Sequence, residues 1–309
     1  MNGPRTTTDE LPSLPYRDWN DTRTTLHLLL QMVGKVRLAL MPSLNHWWHV
    51  PLYLCARGLT TRPIPVDGGR RALEIEIDVL AAAVTALTSD GGRSGFALTG
   101  QPVARLHEQL FAALADLGIA VDIVGRPFGI DVETPFADDT AHRAWDGDAV
   151  RRFWRALIWV EGVLARFAGR FYGKATPIHL FWHSLDLAYT RFNGARAPEL
   201  PEADPVTREA YTHEVISFGF WAGDESVPEA SFYSYTSPSP DGLDAEPLEP
   251  AAASWNLRTG TPQALLAYDA ARSAADPDGE VLRFLESAYQ AGARLRGWDD
   301  AALRRSAGG

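Results

Sequence analysis

The sequence predicts an α+β fold in which helices pack on antiparallel sheets. Residues 21–41 repeat leucine and valine at helical spacing, which predicts an amphipathic helix. Residues 73–79 alternate apolar side chains with three carboxylates, the pattern of an antiparallel strand with one buried face. The order helix, strands, helix then appears again after residue 147. We therefore expect two related halves, formed by internal duplication, that pack around a shared pocket.

The elements of the first half follow from local patterns. They are, in order, a helix over residues 21–41, a strand over 48–59, the alternating strand over 73–79, a strand at 96–98 and a helix over 102–117. Pro42 ends the first helix because proline removes a backbone donor and clashes with the preceding turn. Leu106, Leu110, Leu114 and Leu117 form one apolar stripe on the last helix.

The second half has a similar order. Its predicted elements are a helix over residues 148–170, a strand region that starts at Pro177, a hairpin of strands 213–221 and 230–236, and a helix over 279–296. Gly34 and Gly162 occupy comparable places in the two leading helices. We expect residues 1–130 and 148–309 to form the halves and the acidic residues 131–147 to connect them. The alternative is one compact domain in which α+β patterning alone produces the similar order.

Composition and charge limit the partners and the compartment. A formal net charge of -10 argues against nucleic acid or an anionic membrane surface as the main partner, because both require clustered basic residues. Cys55 is the single cysteine, so no intrachain disulfide can form. The sequence shows no apolar signal core at its beginning and no apolar run long enough to cross a bilayer. We expect a cytoplasmic protein whose oligomeric state the sequence does not indicate.

Residues 45–49, Asn-His-Trp-Trp-His, are the densest concentration of chemistry in the chain. If this segment is a turn, the side chains of His46 and His49 can point to the same place. If it is extended, they point to opposite faces. We expect a turn at His46, with the following strand starting near Trp48 or His49. His46 and His49 are then candidate catalytic residues, and Trp47 and Tyr53 are candidates to stack on a ligand.

The first helix carries a polar stripe that leads toward this segment. His27, Gln31 and Lys35 stand four residues apart, so they share one helix face. The stripe is either solvent-exposed or part of a ligand site, and we include it among the ligand-binding candidates. Arg37 is added because guanidinium groups bind carboxylates and phosphates.

Histidines of the second half complete the candidate set. The spacing of His179 and His183 suits a zinc pair on a helix, but the aromatic surroundings predict a strand, where the two residues lie about 13 Å apart. His179 alone remains a ligand-binding candidate, together with Arg191. His213 and Glu214 begin a predicted strand, and we expect His213 to act in catalysis and Glu214 to bind ligand.

Several residue blocks resemble an uncharacterised bacterial family, domain of unknown function 5996. The blocks are 25–27, 34–40, 45–53, 57–61, 181–192, 211–221, 232–235 and 268–269. The resemblance covers nearly the whole chain, from about residue 14 to 298, although His183 stands where a small residue is expected. The family has no established activity. The resemblance therefore implies a site around the shared histidine, lysine and arginine positions without implying its chemistry.

These observations predict an enzyme that acts on a small, anionic metabolite by histidine acid–base chemistry. Two alternatives remain open: a non-catalytic small-molecule binding protein, and a metal-dependent enzyme with histidine ligands. The sequence contains no phosphate-binding loop, no dinucleotide-binding glycine motif and no serine-hydrolase motif. It therefore identifies no cofactor, and the metal content is left undefined.

Overall fold

Two six-stranded antiparallel sheets organise the described part of the chain, residues 10–258 and 260–304 of a computed structural model. The described helices are α1 (Tyr16–Leu40), α2 (Val103–Asp116), α3 (Gly147–Ala168), α4 (Pro205–Ala210), α5 (Tyr268–Arg272), α6 (Pro277–Leu295) and α7 (Asp300–Leu303). The strands are β1 (Tyr53–Cys55), β2 (Gly58–Thr60), β3 (Ile64–Val66), β4 (Arg71–Asp78), β5 (Ala83–Thr88), β6 (Arg93–Ala97), β7 (His179–Phe181), β8 (Asp186–Arg196), β9 (His213–Trp221), β10 (Ser231–Ser237), β11 (Ser254–Asn256) and β12 (Gln263–Ala267). The predicted α+β class is confirmed.

The first sheet has the order β1-β2-β4-β5-β6, and β3 also pairs with β4. Strand β4 has the alternation that its sequence predicts: Leu73, Ile75 and Ile77 are buried, and the intervening acidic residues are half-buried on the other face. Helix α2 contacts β5, β6 and α1. Its leucine stripe is buried there, which stabilises this half by removing apolar surface from water.

Helix α1 lies at the centre of the molecule and contacts α2, α3 and β3. It starts at Tyr16, five residues before the predicted start, because Trp19 packs on Phe153 of α3 with ring centroids 5.0 Å apart. Leu40 is its last residue, as Pro42 predicts. The helix is almost completely buried from Thr25 to Arg37, including its polar side chains. The polar stripe of α1 therefore does not face solvent.

The two glycines in the leading helices have different surroundings. A methyl group at Gly34 would overlap the indole of Trp182, whereas Gly162 has no neighbouring atom within 4 Å. We expect Gly34→Ala to lower the free energy of unfolding by about 1–3 kcal/mol through overpacking. Gly162→Ala is expected to raise it by up to about 1 kcal/mol through helix propensity. Urea denaturation of both variants tests this, and equal effects would contradict the contact at Gly34.

The second sheet has the order β11-β12-β10-β9-β8-β7. Helix α3 contacts β8, and α6 contacts β9, β10 and β12, so these helices cover one face of the sheet. The side chains on that face are large and apolar, such as Phe218, Phe220 and Phe232, and they are fully buried. The opposite face, which no long helix of the described ranges covers, forms a cleft.

The two sheets are joined between Leu52, just before β1, and Leu180 of β7. Each residue donates its backbone N–H to the other's carbonyl, at 2.9 and 2.8 Å. Buried hydrophobic residues of both halves form one cluster, which favours one compact domain. The division into halves and the internal duplication stay predictions. The two sheets differ in detail, since β3 pairs with β4 beside the main strand order whereas β11 is an edge strand. No helix in the described ranges is long and apolar enough to span a membrane.

Candidate functional site

The uncovered face of the second sheet forms the floor of a cleft with a volume of about 1410 Å³. Because side chains alternate between the faces of a strand, every second residue points into the cleft. The floor residues are Asp186, Ala188, Thr190 and Phe192 of β8, Val215, Ser217 and Trp221 of β9, and Tyr233 and Tyr235 of β10. The start of α1, the segments 46–48, 128–132 and 141–144, helix α4 and the loop 223–227 form the walls.

Tyr233 crosses the floor and hydrogen-bonds to Asp186. Ala188, Gly219 and Tyr233 form one row across three strands in the sheet register. A Cβ atom on Gly219 would lie 2.5 Å from the Tyr233 hydroxyl oxygen, so the phenol ring requires glycine beneath it. The Tyr233 hydroxyl donates to the Asp186 carboxylate, and so does the Ser184 hydroxyl. The carboxylate is thereby fixed at one end of the floor.

The charges around Asp186 are unbalanced. Its side chain is buried, with 7% of its surface exposed, and none of the ion pairs formed by the described residues includes it. Burial and the nearby Asp186 charge raise the pKa of Tyr233 well above its ordinary value. Tyr233 therefore stays protonated and remains a hydrogen-bond donor to the carboxylate.

A second group of hydroxyls lies in the middle of the floor. Thr190 and Ser217 are paired in the register, and their hydroxyl oxygens are 2.7 Å apart. Tyr235 pairs with Ser217, and its hydroxyl lies 3.0 Å from that of Tyr211. The rings of Tyr233 and Tyr235 are stacked at 6.2 Å. The floor thus offers ordered hydroxyl groups between aromatic surfaces, a combination suited to a polar organic ligand.

His46 lies in the wall at the other end of the floor, beside Phe192. The predicted turn is present at Asn45–Trp47, and His46 and Trp47 both have left-handed backbone angles, with φ of 56° and 60°. The strand starts at Tyr53, later than predicted, because the turn extends to Val50 and Pro51 has no N–H to donate.

The hydrogen bond of His46 fixes its tautomer. Its Nδ1 lies 3.2 Å from the backbone carbonyl of Ala210, which only accepts, so Nδ1 carries the proton. Burial lowers the pKa of His46, so the imidazole is neutral near pH 7. Its Nε2 therefore holds a free lone pair. A neutral imidazole in this state can accept a proton from a ligand.

The other candidate catalytic histidines do not line the cleft. The His49 ring stacks on Trp47 at 5.5 Å, and its Nδ1 accepts the backbone N–H of Leu44 at 3.1 Å. His213 contacts the His46 ring edge-on at 5.4 Å, and its Nδ1 lies 3.0 Å from the Thr212 hydroxyl. The left-handed turn separates His46 from His49, so the expected convergence of these two residues does not occur. His213 therefore contacts His46 without lining the cleft.

Of the polar stripe on α1, only His27 reaches the cleft. Its Nε2 lies 3.2 Å from the carbonyl of His183, and burial lowers the pKa of His27 to about 4. Gln31 bonds the backbone N–H and carbonyl of Phe128, both at 2.8 Å, and so holds the cleft wall. The Lys35 ammonium lies 5.9 Å from the ring of Trp182. Lys35 thus packs in the protein interior away from the cleft.

Arg37, Tyr53 and His179 form a separate cluster beside the cleft. Arg37 donates to the Thr61 carbonyl and lies 5.7 Å from the Tyr53 ring. The Tyr53 and His179 rings are 6.3 Å apart. Burial, with the positive charges of Arg37 and Arg62, lowers the pKa of His179 to about 3. These three ligand-binding candidates are together, but none of them lines the cleft.

Arg191 and Glu214 lie on the covered face of the second sheet and do not line the cleft. The Arg191 side chain donates to the Phe167 carbonyl at 2.7 Å and lies 3.7 Å from that residue's ring centre. Glu214 accepts from Arg296, Trp298 and Asn193. Glu214 thus has three donors, and the Arg191 guanidinium packs against aromatic rings of Phe167, Phe171 and Tyr289. Strand alternation places them opposite the cleft residues Thr190 and Val215.

Sequence reasoning missed Asp186, Tyr233 and the pair Asp139–His142. His142 lines the cleft, and its Nδ1 lies 2.7 Å from the buried Asp139 carboxylate. A signal is present in β8 and β9, where the small or polar residues Ala188, Thr190, Ser217 and Gly219 alternate with large ones, which indicates a face with little apolar packing. Within residues 10–258 and 260–304, no three His, Cys, Asp or Glu side chains are grouped to hold a metal ion. The metal alternative therefore gains no support.

Comparison with known proteins defines a family. No curated protein and no solved structure matches the chain. One family model matches residues 11–305, nearly the whole sequence, and it is described as a family of unknown function. The resemblance expected from the sequence blocks is confirmed. The chain belongs to the family of unknown function DUF5996.

Proposed function

We propose that the protein is an enzyme that acts on a small molecule bound in the cleft, with His46 as the proton acceptor. The observation that carries this proposal is the bond from His46 Nδ1 to the Ala210 carbonyl, which leaves Nε2 unprotonated in the cleft wall. Burial lowers the pKa of His46, so the base form is present at neutral pH. Positioned histidines of this kind typically accelerate proton transfer by about 10²–10⁴-fold.

The backbone at His46 supports a functional role. Two consecutive non-glycine residues, His46 and Trp47, have positive φ angles, which cost of order 1 kcal/mol or more each. Contacts to α4 hold them there, because the Trp47 indole donates to the Val206 carbonyl at 3.2 Å. Such conformations persist where the surrounding structure requires them, and they cluster at active sites. The turn thereby directs His46 toward Phe192 at the end of the floor.

The substrate contacts differ from those expected from the sequence. Lys35 and Arg37 lie outside the cleft, so they do not support the binding of an anionic metabolite in it. The proposed ligand contacts are the hydroxyls of Tyr211 and Tyr235 and the aromatic faces of Trp47 and Trp221. We further propose a cytoplasmic protein whose partner is a small molecule. The net charge of -10 argues against nucleic acid as that partner.

A non-catalytic binding protein is the second candidate. The observation that favours it is the aromatic floor, where the rings of Trp221, Tyr233 and Tyr235 contact one another along the cleft. Aromatic stacking stabilises a bound ligand equally well in a protein that leaves it unchanged. The two candidates differ in a single property, the chemical fate of the bound molecule.

The test is turnover of a defined mixture of amino acids, amines, sugars, nucleosides and carboxylic acids, followed by mass spectrometry. We expect one compound to be consumed, and His46→Gln to slow its consumption by about 100-fold or more. The matched control is His107→Gln, because His107 packs on Phe111 of α2 outside the cleft. Undiminished turnover in His46→Gln overturns the role of His46. A compound that binds in the cleft and is recovered unchanged favours the second candidate.

A further inference from the structure

We propose that the ligand of the cleft carries a protonated amine that binds the carboxylate of Asp186. This inference rests on the proposed function for the location of the ligand, and it adds the chemical class. The proposed ligand is a cation, in contrast to the anionic metabolite that the sequence predicts. Three observations carry it: the charge of the cleft lining, the unpaired carboxylate, and the aromatic rings on both sides of that carboxylate.

The lining of the cleft is acidic. Six carboxylates line it against two guanidiniums, those of Arg23 and Arg143. Arg23 is already engaged, because its guanidinium donates to the side chains of Asn20 and Tyr16. A cleft with this balance attracts cations and repels anions, and its low-dielectric walls strengthen the effect. A cationic ligand is therefore favoured over the anionic metabolite.

Asp186 has unused acceptor capacity. An ionised carboxylate has about four acceptor sites, and Tyr233 and Ser184 donate to one oxygen each. No lysine or arginine of the described ranges pairs with it, although it is buried at the cleft floor. A buried carboxylate without a cationic partner is costly, and an ammonium group that reaches it compensates its charge. The Tyr233 and Ser184 hydroxyls orient the two oxygens for that contact.

Aromatic side chains flank Asp186 on both neighbouring strands. In the register, Phe181 of β7 and Trp221 of β9 both pair with Asp186. Directly paired residues point to the same face of a sheet, and all three line the cleft. Ammonium groups are attracted to the faces of aromatic rings, most strongly to tryptophan. A carboxylate between two such rings is an arrangement that recognises an amine in preference to a neutral group.

The distance between the two ends of the floor indicates the shape of the ligand. Asp186 and Phe192 are six residues apart on β8, which corresponds to about 20 Å between their Cα atoms. His46 contacts Phe192, so the proposed base and the proposed amine anchor lie at opposite ends. A substrate that reaches both is elongated, with its amine at Asp186 and its reacting group near His46. The hydroxyls of Tyr235 and Ser217 lie along the path between them.

The test uses three probes of equal length and different charge: hexylamine, 1-hexanol and hexanoate. Alkylamines are protonated at neutral pH. Isothermal titration calorimetry of the full chain at low ionic strength is expected to show hexylamine binding about tenfold or more tightly than hexanol, since a charged hydrogen bond is replaced by a neutral one. Hexanoate is expected to bind most weakly. This order requires no variant and so does not depend on how a substitution affects folding.

A variant locates the effect. Asp186→Asn keeps the shape and an acceptor for Tyr233, and it is expected to lower hexylamine affinity about tenfold while leaving hexanol binding unchanged. Asp122→Asn is the matched control, because Asp122 is exposed and lies outside the cleft. Tighter binding of hexanoate than of hexylamine overturns the proposal, and so does unchanged hexylamine affinity in a folded Asp186→Asn protein. The role of His46 fails separately, through the turnover of its variant.

Discussion

Replacing Gly219 by alanine is expected to abolish hexylamine binding and to lower the free energy of unfolding by about 1–3 kcal/mol. The added Cβ atom would lie 2.5 Å from both the Tyr233 ring and the Leu187 carbonyl oxygen. The contact with the backbone oxygen strains the pairing of β8 and β9, and the contact with the phenol forces the tyrosine ring off the floor. Asp186 then loses a donor, and the displaced ring enters the space of the ligand.

Two measurements test the role of Gly219: urea denaturation and calorimetric titration with hexylamine. The control is Gly162→Ala, because that glycine has open space around it and its variant is expected to be more stable. Tyr233→Phe separates the two effects, since it removes the hydroxyl and keeps the ring. We expect it to fold like the parent protein. A Gly219→Ala protein with unchanged stability and unchanged hexylamine binding would contradict the packing described for the floor.

Lowering the pH from 7 to 4 is expected to destabilise the protein by several kcal/mol. Burial lowers the pKa of His27 to about 4 and that of His179 to about 3, from an ordinary value of 6.5. Between pH 6.5 and the lowered pKa of each histidine, the unfolded chain binds a proton that the folded chain does not. The free energy of unfolding therefore falls as the pH falls. By pH 4 each histidine accounts for roughly 3 kcal/mol of the loss. Their contribution to stability is complete above about pH 6.5.

The variant His27→Gln isolates one of these contributions. Glutamine is uncharged at every pH and can donate to the His183 carbonyl that His27 contacts. The free energy of unfolding of His27→Gln is expected to fall by roughly 3 kcal/mol less than that of the parent between pH 7 and pH 4. Urea denaturation across this range measures both proteins. Parallel curves would show that His27 titrates normally in the folded state.

The sequence was sufficient to predict the regular elements, because their periodicity reflects burial on one side. The hairpin of β9 and β10 and the helices α2, α3 and α6 occur within a few residues of their predicted bounds. The apolar repeat does not predict the first turns of α1, because Tyr16 and Trp19 precede it and Trp19 is buried by a contact with Phe153 of α3. Strands β3 and β11 have only three residues each, which is too short for an alternating pattern to mark them in the sequence.

Only some of the residues that the sequence predicts for a site line the cleft. His27, His46 and Trp47 line the cleft, as their grouping suggests, whereas Arg191 and Glu214 face away from it. Alternation along a strand defines two faces, but the sequence does not tell which face α3 and α6 cover. The sequence also does not show that Glu214 accepts hydrogen bonds from Asn193, Arg296 and Trp298 within the protein. Asp186 was missed because its partner Tyr233 lies 47 residues away.

The orientation of His46 and His49 depended on one backbone feature. The positive φ angles of His46 and Trp47 are rare for residues of these types, and no residue pattern in the segment predicts them. They turn His46 toward the cleft and leave His49 stacked on Trp47. Helical and extended spacings both assume negative φ angles. The sequence therefore predicts the turn but not the direction of its side chains.

A crystal structure of the chain with bound hexylamine tests the central claim most directly, since it locates both the ligand and the charged contact. We expect an amine nitrogen about 3 Å from an Asp186 carboxylate oxygen, between Phe181 and Trp221. The alkyl chain should lie along the floor toward Tyr235. A ligand bound outside the cleft, or an amine that avoids Asp186 within it, would contradict the account.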